Sequence, residues 1–223
     1  MANPHNFDCP QGEDGCPIYV QLQDLQSSVA QLRQQVRTDP LTGLFNKQHL
    51  LASLETEMER SCRNNHPTSL VMLDVDKFKT VNDTHGHLVG DKVLAHVARI
   101  IKNAIRKIDV ACRYGGEEFA IILPATPLVV AAKVAERIRV FIEQIPIELD
   151  AHKLTVTASL GLSSYQPQDA CNVEQLLERA DQLLYQAKAA GRNCVVYEPL
   201  KSVRAFGISE AERQVLLDET NNT

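Results

Sequence analysis

Val110-Ala111-Cys112-Arg113-Tyr114-Gly115-Gly116-Glu117-Glu118-Phe119-Ala120-Ile121-Ile122-Leu123 decides the fold. Two short apolar runs, Val110 to Arg113 and Phe119 to Leu123, flank a turn that contains two glycines, and that pattern reads as a β-hairpin. Upstream, Ser69-Leu70-Val71-Met72-Leu73 is an apolar run ending at Asp74, separated from what precedes it by His66-Pro67, and it reads as a fully buried strand. Between these lies a helix that opens at Gly90-Asp91 and runs through Ile105, with Val93, Leu94, Val97, Ile100 and Ile101 on one face. Downstream the periodicity predicts a helix from about Leu128 to Ile145, a strand from Leu154 to Leu162, a helix from Val173 to Ala190 and a last strand from Cys194 to Tyr197.

The resulting order, β-α-β-β-α-β-α-β, predicts an α/β fold of the α+β sandwich kind: an antiparallel central sheet with helices packed over it, ferredoxin-like with additions. A further helix near Asn46 to Arg63 precedes it. With 223 residues the chain has room for one catalytic domain of ordinary size plus a short appendage. The appendage is legible at the N-terminal side. Ile18, Leu22, Leu25, Val29, Leu32 and Val36 are spaced four, three, four, three, four, with mostly Gln, Ser and Asp between them. That heptad seam suits self-pairing as a coiled coil, or else an amphipathic helix packed on its own domain, and it is short for a stable dimer. Pro40 and Gly43 break helical continuity and mark the boundary. The expected division is a flexible tail over 1–17, a stalk helix over 18–37, a catalytic domain over 38–198 and a C-terminal tail over 199–223 in which Ser209 to Leu217 can form a short helix.

Composition excludes some classes of function. Net charge is -5 with the basic residues dispersed, so a nucleic-acid polymer is not the expected partner. No apolar run approaches the roughly 20 residues needed to span a bilayer, and the N-terminus lacks the basic start and apolar stretch of a secretory signal, so a cytoplasmic location without membrane attachment is expected. The six cysteines, at 9, 16, 62, 112, 171 and 194, are scattered and read as free thiols. Cys9 and Cys16 sit in a turn-rich segment with His5 nearby, at a spacing wider than a zinc knuckle uses, and read as incidental.

Four acids stand out: Asp74, Asp76, Glu117 and Glu118. Asp74 ends a buried strand and Glu117 lies in the hairpin turn, so neighbouring strands can bring their carboxylates to one sheet edge. Hard oxygen ligands of this kind suit Mg²⁺ with nucleotide phosphates, because Mg²⁺ takes one or two protein carboxylates and fills its shell with water and substrate oxygens. Solvated loop acids are the alternative, but Gly115-Gly116 offers a backbone without Cβ atoms that a nucleotide can approach closely.

Arg113-Tyr114 followed by Gly115 to Phe119 resembles the signature of the GGDEF family of diguanylate cyclases, in a GGEEF form. The resemblance is carried by an ordered set: Asp39-Pro40-Leu41-Thr42-Gly43-Leu44-Phe45-Asn46, Asp74-Val75-Asp76-Lys77-Phe78-Lys79, Asn82-Asp83-Thr84-His85-Gly86-His87, Gly90-Asp91, and Ala187-Lys188 with Gly191-Arg192-Asn193. It covers residues 38 to 198. It implies a nucleotide-cyclase-like fold and condensation of two GTP into cyclic di-GMP with release of two pyrophosphates. By the same resemblance Asp74 and the Val75 carbonyl bind metal together with Glu117, which is often assigned as proton acceptor, and Glu118 adjoins it. Two Mg²⁺ per site, with Mn²⁺ as a substitute, would polarise the α-phosphate, help deprotonate the attacking 3′-hydroxyl and neutralise the leaving pyrophosphate. Which carboxylate is the base stays open.

The resemblance further implies that Asn82 and Asp91 recognise guanine, and the chemistry agrees: a carboxylate accepts from the N1-H and exocyclic amine of guanine and repels the N1 acceptor of adenine. Asp91 can also be read as the N-cap of the helix after Gly90. Phe78 and His87 match substrate-contact positions, although a lone histidine is as well read as a loop or core residue. Lys79, Lys188 and Arg192 match cations that neutralise the triphosphate. Arg106 and Asp109 of Arg106-Lys107-Ile108-Asp109 resemble the family's inhibitory product site, with Arg137 its secondary arginine. The alternative for the first two is an i, i+3 surface ion pair worth little.

Since each site holds one GTP, a two-fold symmetric product implies a homodimer, formed through the stalk and aided by a separate activator protein docking on residues 18 to 37. Two competing functions remain to be set against this: a catalytically dead receptor for cyclic di-GMP, and a cyclase of different base preference.

Overall fold

The computed structural model describes residues 21–27, 37–149 and 153–199. The elements in chain order are β1 (Phe45–Asn46), α1 (Lys47–Asn64), β2 (Thr68–Val75), α2 (Phe78–His85), α3 (His87–Ala104), β3 (Val110–Gly115), β4 (Glu118–Leu123), α4 (Leu128–Gln144), β5 (Ile147–Glu148), β6 (Lys153–Leu154), β7 (Ala158–Tyr165), α5 (Val173–Ala189) and β8 (Val195–Tyr197).

Every residue of β2 and β7 is buried, as expected of central strands covered on both faces. Alternation along the strands then divides the core in two. Val71, Leu73 and Val75 of β2 join Phe119, Ile121 and Leu123 of β4 beneath α3 and α4, where Val93, Val97, Ile101, Ala135, Ile138 and Ile142 pack. Leu70, Met72, Ala120 and Ile122 point the other way, against Leu50, Leu54 and Met58 of α1 and Leu176, Ala180 and Leu184 of α5. The domain is therefore a sheet with two helices on each face. Gly161 of β7 is where α5 comes nearest: a Cβ there would lie 2.2 Å from the backbone nitrogen of Leu184 and 2.3 Å from the carbonyl oxygen of Ala180.

The six-stranded sheet has the order β1-β3-β4-β2-β7-β8. Its inner four strands are antiparallel and follow the ferredoxin-like arrangement, as expected. The edges differ from a purely antiparallel sheet, because β1 runs parallel to β3 and β8 parallel to β7. Three boundaries also differ. The helix expected from Gly90 begins at His87 with Gly86 as its N-cap, so Asp91 lies inside α3 and caps nothing. The helix α2 precedes it, in a stretch whose polar sequence concealed it. The strand expected from Leu154 is interrupted, Lys153–Leu154 pairing only with β5 and the long strand starting at Ala158.

Residues 21–27 are helical, with Leu22 and Leu25 exposed. The remaining stalk positions, the expected tail over 1–17 with Cys9 and Cys16, and the helix expected over 209–217 lie outside the described residues. Among the described residues no helix is long and apolar enough to cross a membrane.

Candidate active site

The hairpin places the acids. β2 pairs with β4 in a register that sets Asp74 opposite Glu118, and the Val75 N–H donates to the Glu117 carbonyl at 3.3 Å across the same edge. Gly116, at φ 50°, takes the left-handed conformation at the turn, and Arg113 holds that turn from below by donating Nε to the Gly116 carbonyl at 2.9 Å. The Arg113 guanidinium also reaches Asp39 at 3.3 Å, in the turn that precedes β1.

Asp74, Glu117 and Glu118 consequently share one end of the sheet. Burial pushes the Asp74 carboxyl above the ordinary carboxylate range, Lys188 pulls it back, and Glu117 and Asp76 push it up again. Glu118 is raised by burial first and by the Asp74 charge second. Such a group of like charges is short of a cation, and the protein supplies one: Lys188 Nζ lies 2.8 Å from Asp74 Oδ2. Among the described residues no three or more His, Cys, Asp or Glu side chains close around a cation position. Two carboxylates and a backbone carbonyl fit a hard divalent ion that keeps water and phosphate oxygens, and fit a caged structural metal badly.

Asp76, two residues on, stands apart from this group. It is buried and its oxygens are engaged by Thr157, Ser159 and the backbone of Asn193, so it is not a free carboxylate of the site.

Beside the acids, α2 and α3 form an open angle about Gly86, whose φ of 83° lets one helix stop and the next start. Phe78 is buried at the start of α2, and Asn82 follows one turn later. The buried Asn82 Oδ1 has no hydrogen-bond partner among the described residues. Gly90 faces it, and a Cβ at Gly90 would fall 1.9 Å from Asn82 Oδ1 and 3.2 Å from Phe78 Cζ. An unsatisfied buried acceptor of this kind is costly unless a ligand supplies the donor. Asp91 and His87 lie exposed on α3 next to this angle, and Lys79 is exposed on α2.

Lys188 sits in the last turn of α5, and Arg192 in the loop after it, where Gly191, Arg192 and Asn193 have φ of 113°, 67° and 47°. Sequence reasoning missed the tethers of this loop, because nothing in the spacing of Asp76 and Asn193 shows that they meet.

At the opposite end of the hairpin, roughly 20 Å away for six residues of strand, Arg106, Asp109 and Arg137 come to one corner. Asp109 Oδ2 accepts from the Arg106 backbone N–H at 2.8 Å, and Asp109 Oδ1 accepts from Arg106 Nη2 at 3.0 Å. Arg106 Nη2 also donates to Thr126 Oγ1 at 2.7 Å, and Arg137 donates to the Ala104 carbonyl at the end of α3. A groove of about 530 Å³ lined by Gly43, Leu44, Lys102, Arg106 and Lys107 opens beside this corner.

The family model of the GGDEF domain, described as diguanylate cyclase, matches residues 36–194. The chain belongs to the GGDEF family. It is 44% identical over 162 residues to the response regulator PleD of Caulobacter vibrioides, a match covering 71% of this chain and 35% of that protein. The GGDEF domain thus spans about a third of the length of that curated relative. Among solved structures it is similar to the diguanylate cyclase SiaD of Pseudomonas aeruginosa, in complex with its activator SiaC, with TM-score 0.70, 39% identity, and 81% of this chain and 69% of that one covered. It is equally similar to the coiled coil and GGDEF domain of DgcB from Caulobacter crescentus, in complex with c-di-GMP, with TM-score 0.70, 31% identity, and 80% and 94% covered.

Proposed function

We propose that this GGDEF domain is a diguanylate cyclase that condenses two GTP into cyclic di-GMP and two pyrophosphates. The observation that supports this most is the pairing of a like-charged carboxylate edge with an unsatisfied amide acceptor in the adjoining α2–α3 angle. One suits phosphate-bound metal and the other a purine edge. Asn82 Oδ1 accepts a hydrogen bond from the guanine exocyclic amine, and the Asp91 carboxylate accepts from N1-H. Phe78 and Gly90 shape the floor, and His87 borders the opening. Lys79, Lys188 and Arg192 bind triphosphate oxygens.

Asp74, Glu117 and the Val75 carbonyl would hold the metal, in this reading two Mg²⁺, for which Mn²⁺ could substitute. Bound metal supplies Lewis-acid polarisation of the α-phosphate and charge neutralisation of the departing pyrophosphate. A carboxylate of this edge, Glu117 or Glu118, would take the 3′-hydroxyl proton, and Lys188, paired with Asp74 at 2.8 Å, would share its charge with phosphate oxygens. With one nucleotide per domain, each 3′-hydroxyl attacks the α-phosphate of the other, so the active species is a homodimer. The heptad seam over residues 18–37 forms that dimer weakly and provides a docking place for an activator protein, in keeping with the activator complex of SiaD. Cyclic di-GMP occupying the Arg106, Asp109 and Arg137 corner inhibits the enzyme, in keeping with the c-di-GMP complex of DgcB.

Base discrimination tests the assignment. With Mg²⁺ present, GTP is consumed and ATP is not, and Asp91→Ala narrows the gap by at least tenfold. Equal consumption of both nucleotides by the wild type overturns the guanine site.

A further inference from the structure

We propose that Asp76 is a positioning residue: its carboxylate grips the backbone of Asn193 and fixes the left-handed turn that carries Arg192, one turn of chain beyond Lys188. The inference rests on the cyclase reading above, and the two fail differently in the test below.

Asp74 and Asp76, two residues apart at the end of one strand, look alike in sequence. Their surroundings separate them. Asp74 is met by the Lys188 ammonium, whereas Asp76, 7% exposed, is met by neutral donors alone. Asp76 Oδ1 accepts from Ser159 Oγ at 2.6 Å, and Oδ2 accepts from Thr157 Oγ1 at 2.7 Å and from the Asn193 N–H at 3.1 Å. Hydrogen bonds to an ionised acceptor are about twice as strong as neutral ones, and three of them leave little of the carboxylate for a metal.

The loop they reach is a strained one. Gly191, Arg192 and Asn193 are successively left-handed, a conformation that glycine takes freely and asparagine tolerates but that crowds the Cβ of Arg192. Strain of this kind persists where neighbouring groups over-determine it. Here Asn193 is held three ways: its N–H by Asp76, its Nδ2 by Glu143 Oε1 at 2.8 Å, and its Oδ1 by Arg139 Nη1 at 2.7 Å. Arg192 closes the turn through its N–H to the Ala187 carbonyl at 3.1 Å. The structure thus spends a buried carboxylate and an Arg–Glu pair on a turn whose own side chain, Arg192, stays exposed.

The test is a double-mutant cycle on the full chain, reading GTP-dependent pyrophosphate release for wild type, Asp76→Asn, Arg192→Ala and the double variant. Asp76→Asn is expected to raise KM for GTP about tenfold, equivalent to about 1.4 kcal/mol, with kcat and the Mg²⁺ concentration for half-activation unchanged. The double variant is expected to match Arg192→Ala. Losses that multiply, or an increased Mg²⁺ requirement in Asp76→Asn, overturn the proposal. If thermal denaturation shows Asp76→Asn unfolded, Thr157→Val replaces it: it removes the hydroxyl that donates to Asp76 Oδ2 beside the Asn193 N–H and so loosens the carboxylate's grip on that backbone. It should raise KM and add nothing to Arg192→Ala, and multiplied losses again overturn the proposal. A wild type that releases no pyrophosphate refutes the cyclase reading, and the cycle is then read as affinity for a fluorescent GTP analogue.

Discussion

Glu118 faces Asp74 across two hydrogen-bonded strands; its carboxyl is held above the ordinary range by burial first and by the Asp74 charge second, and Asp74 is raised by burial and by Glu117 and Asp76. Ionising either one costs the folded state something, so removing a charge in the absence of metal is stabilising. Glu118→Gln should raise the melting temperature of the chain in EDTA at pH 8 by roughly 2 °C, while turnover with GTP and Mg²⁺ falls at least tenfold. A melting temperature that drops on this substitution contradicts the electrostatic picture. A second residue-scale expectation concerns thiols. Cys112 is fully buried and its thiol is pushed up to about 12, chiefly by burial, whereas Cys62 is exposed. A maleimide at pH 8 should therefore label Cys62 in the native chain and leave Cys112 unmodified until denaturant is added, with mass spectrometry of the tryptic peptides as the readout.

At the scale of elements, two glycines carry opposite predictions. Gly161→Ala drives a methyl into the backbone of α5 and should destabilise by about 3 kcal/mol, read as an early midpoint in urea. Gly90→Ala meets instead the end of the Asn82 side chain, which can swing away. Stability should fall by only about 1 kcal/mol, while KM for GTP should rise tenfold or more if the proposed purine site lies against Asn82.

Gly90 also shows why parts of the fold were hidden from the sequence. Taken with Asp91 as the opening of the helix, it placed the start of α3 three residues late, and Asp91 then looked like a cap; in the structure the glycine is inside the helix, close against Asn82 and Phe78. The helix α2 was invisible for a related reason, since only Phe78 of its eight residues is buried and no apolar period results. The hairpin, α4 and α5 were legible because each buries a regular stripe, and α1 announced itself through Asn46, whose side chain accepts from the His49 N–H. Thr155, Val156 and Thr157 have strand composition, yet β7 begins only at Ala158. Among the site residues, Asp74 and the Gly115–Glu118 turn could be read from adjacency. The engagement of Asp76 by Thr157, Ser159 and Asn193 could not, since it joins segments about 80 and 117 residues away in sequence.

Over the whole molecule, the carboxylate edge is tied to the turn that precedes β1. The Asp39 carboxyl is engaged by Thr42 and paired with Arg113, whose guanidinium also supports the Gly116 carbonyl, so the turn over residues 39–42 and the turn that carries Glu117 share one side chain. In the cyclase reading proposed above, each domain would supply one purine site and one carboxylate edge, half of what a symmetric cyclic dinucleotide needs.

The most direct measurement is product stoichiometry in a forced dimer. With a strong parallel coiled coil in place of residues 1–36, the chain should convert GTP and Mg²⁺ into a species with the mass of cyclic di-GMP and two pyrophosphates per product, and Asp74→Asn should reduce this by at least 100-fold. A dimer that leaves GTP unconsumed, or that forms the product equally well with Asp74→Asn, contradicts the account.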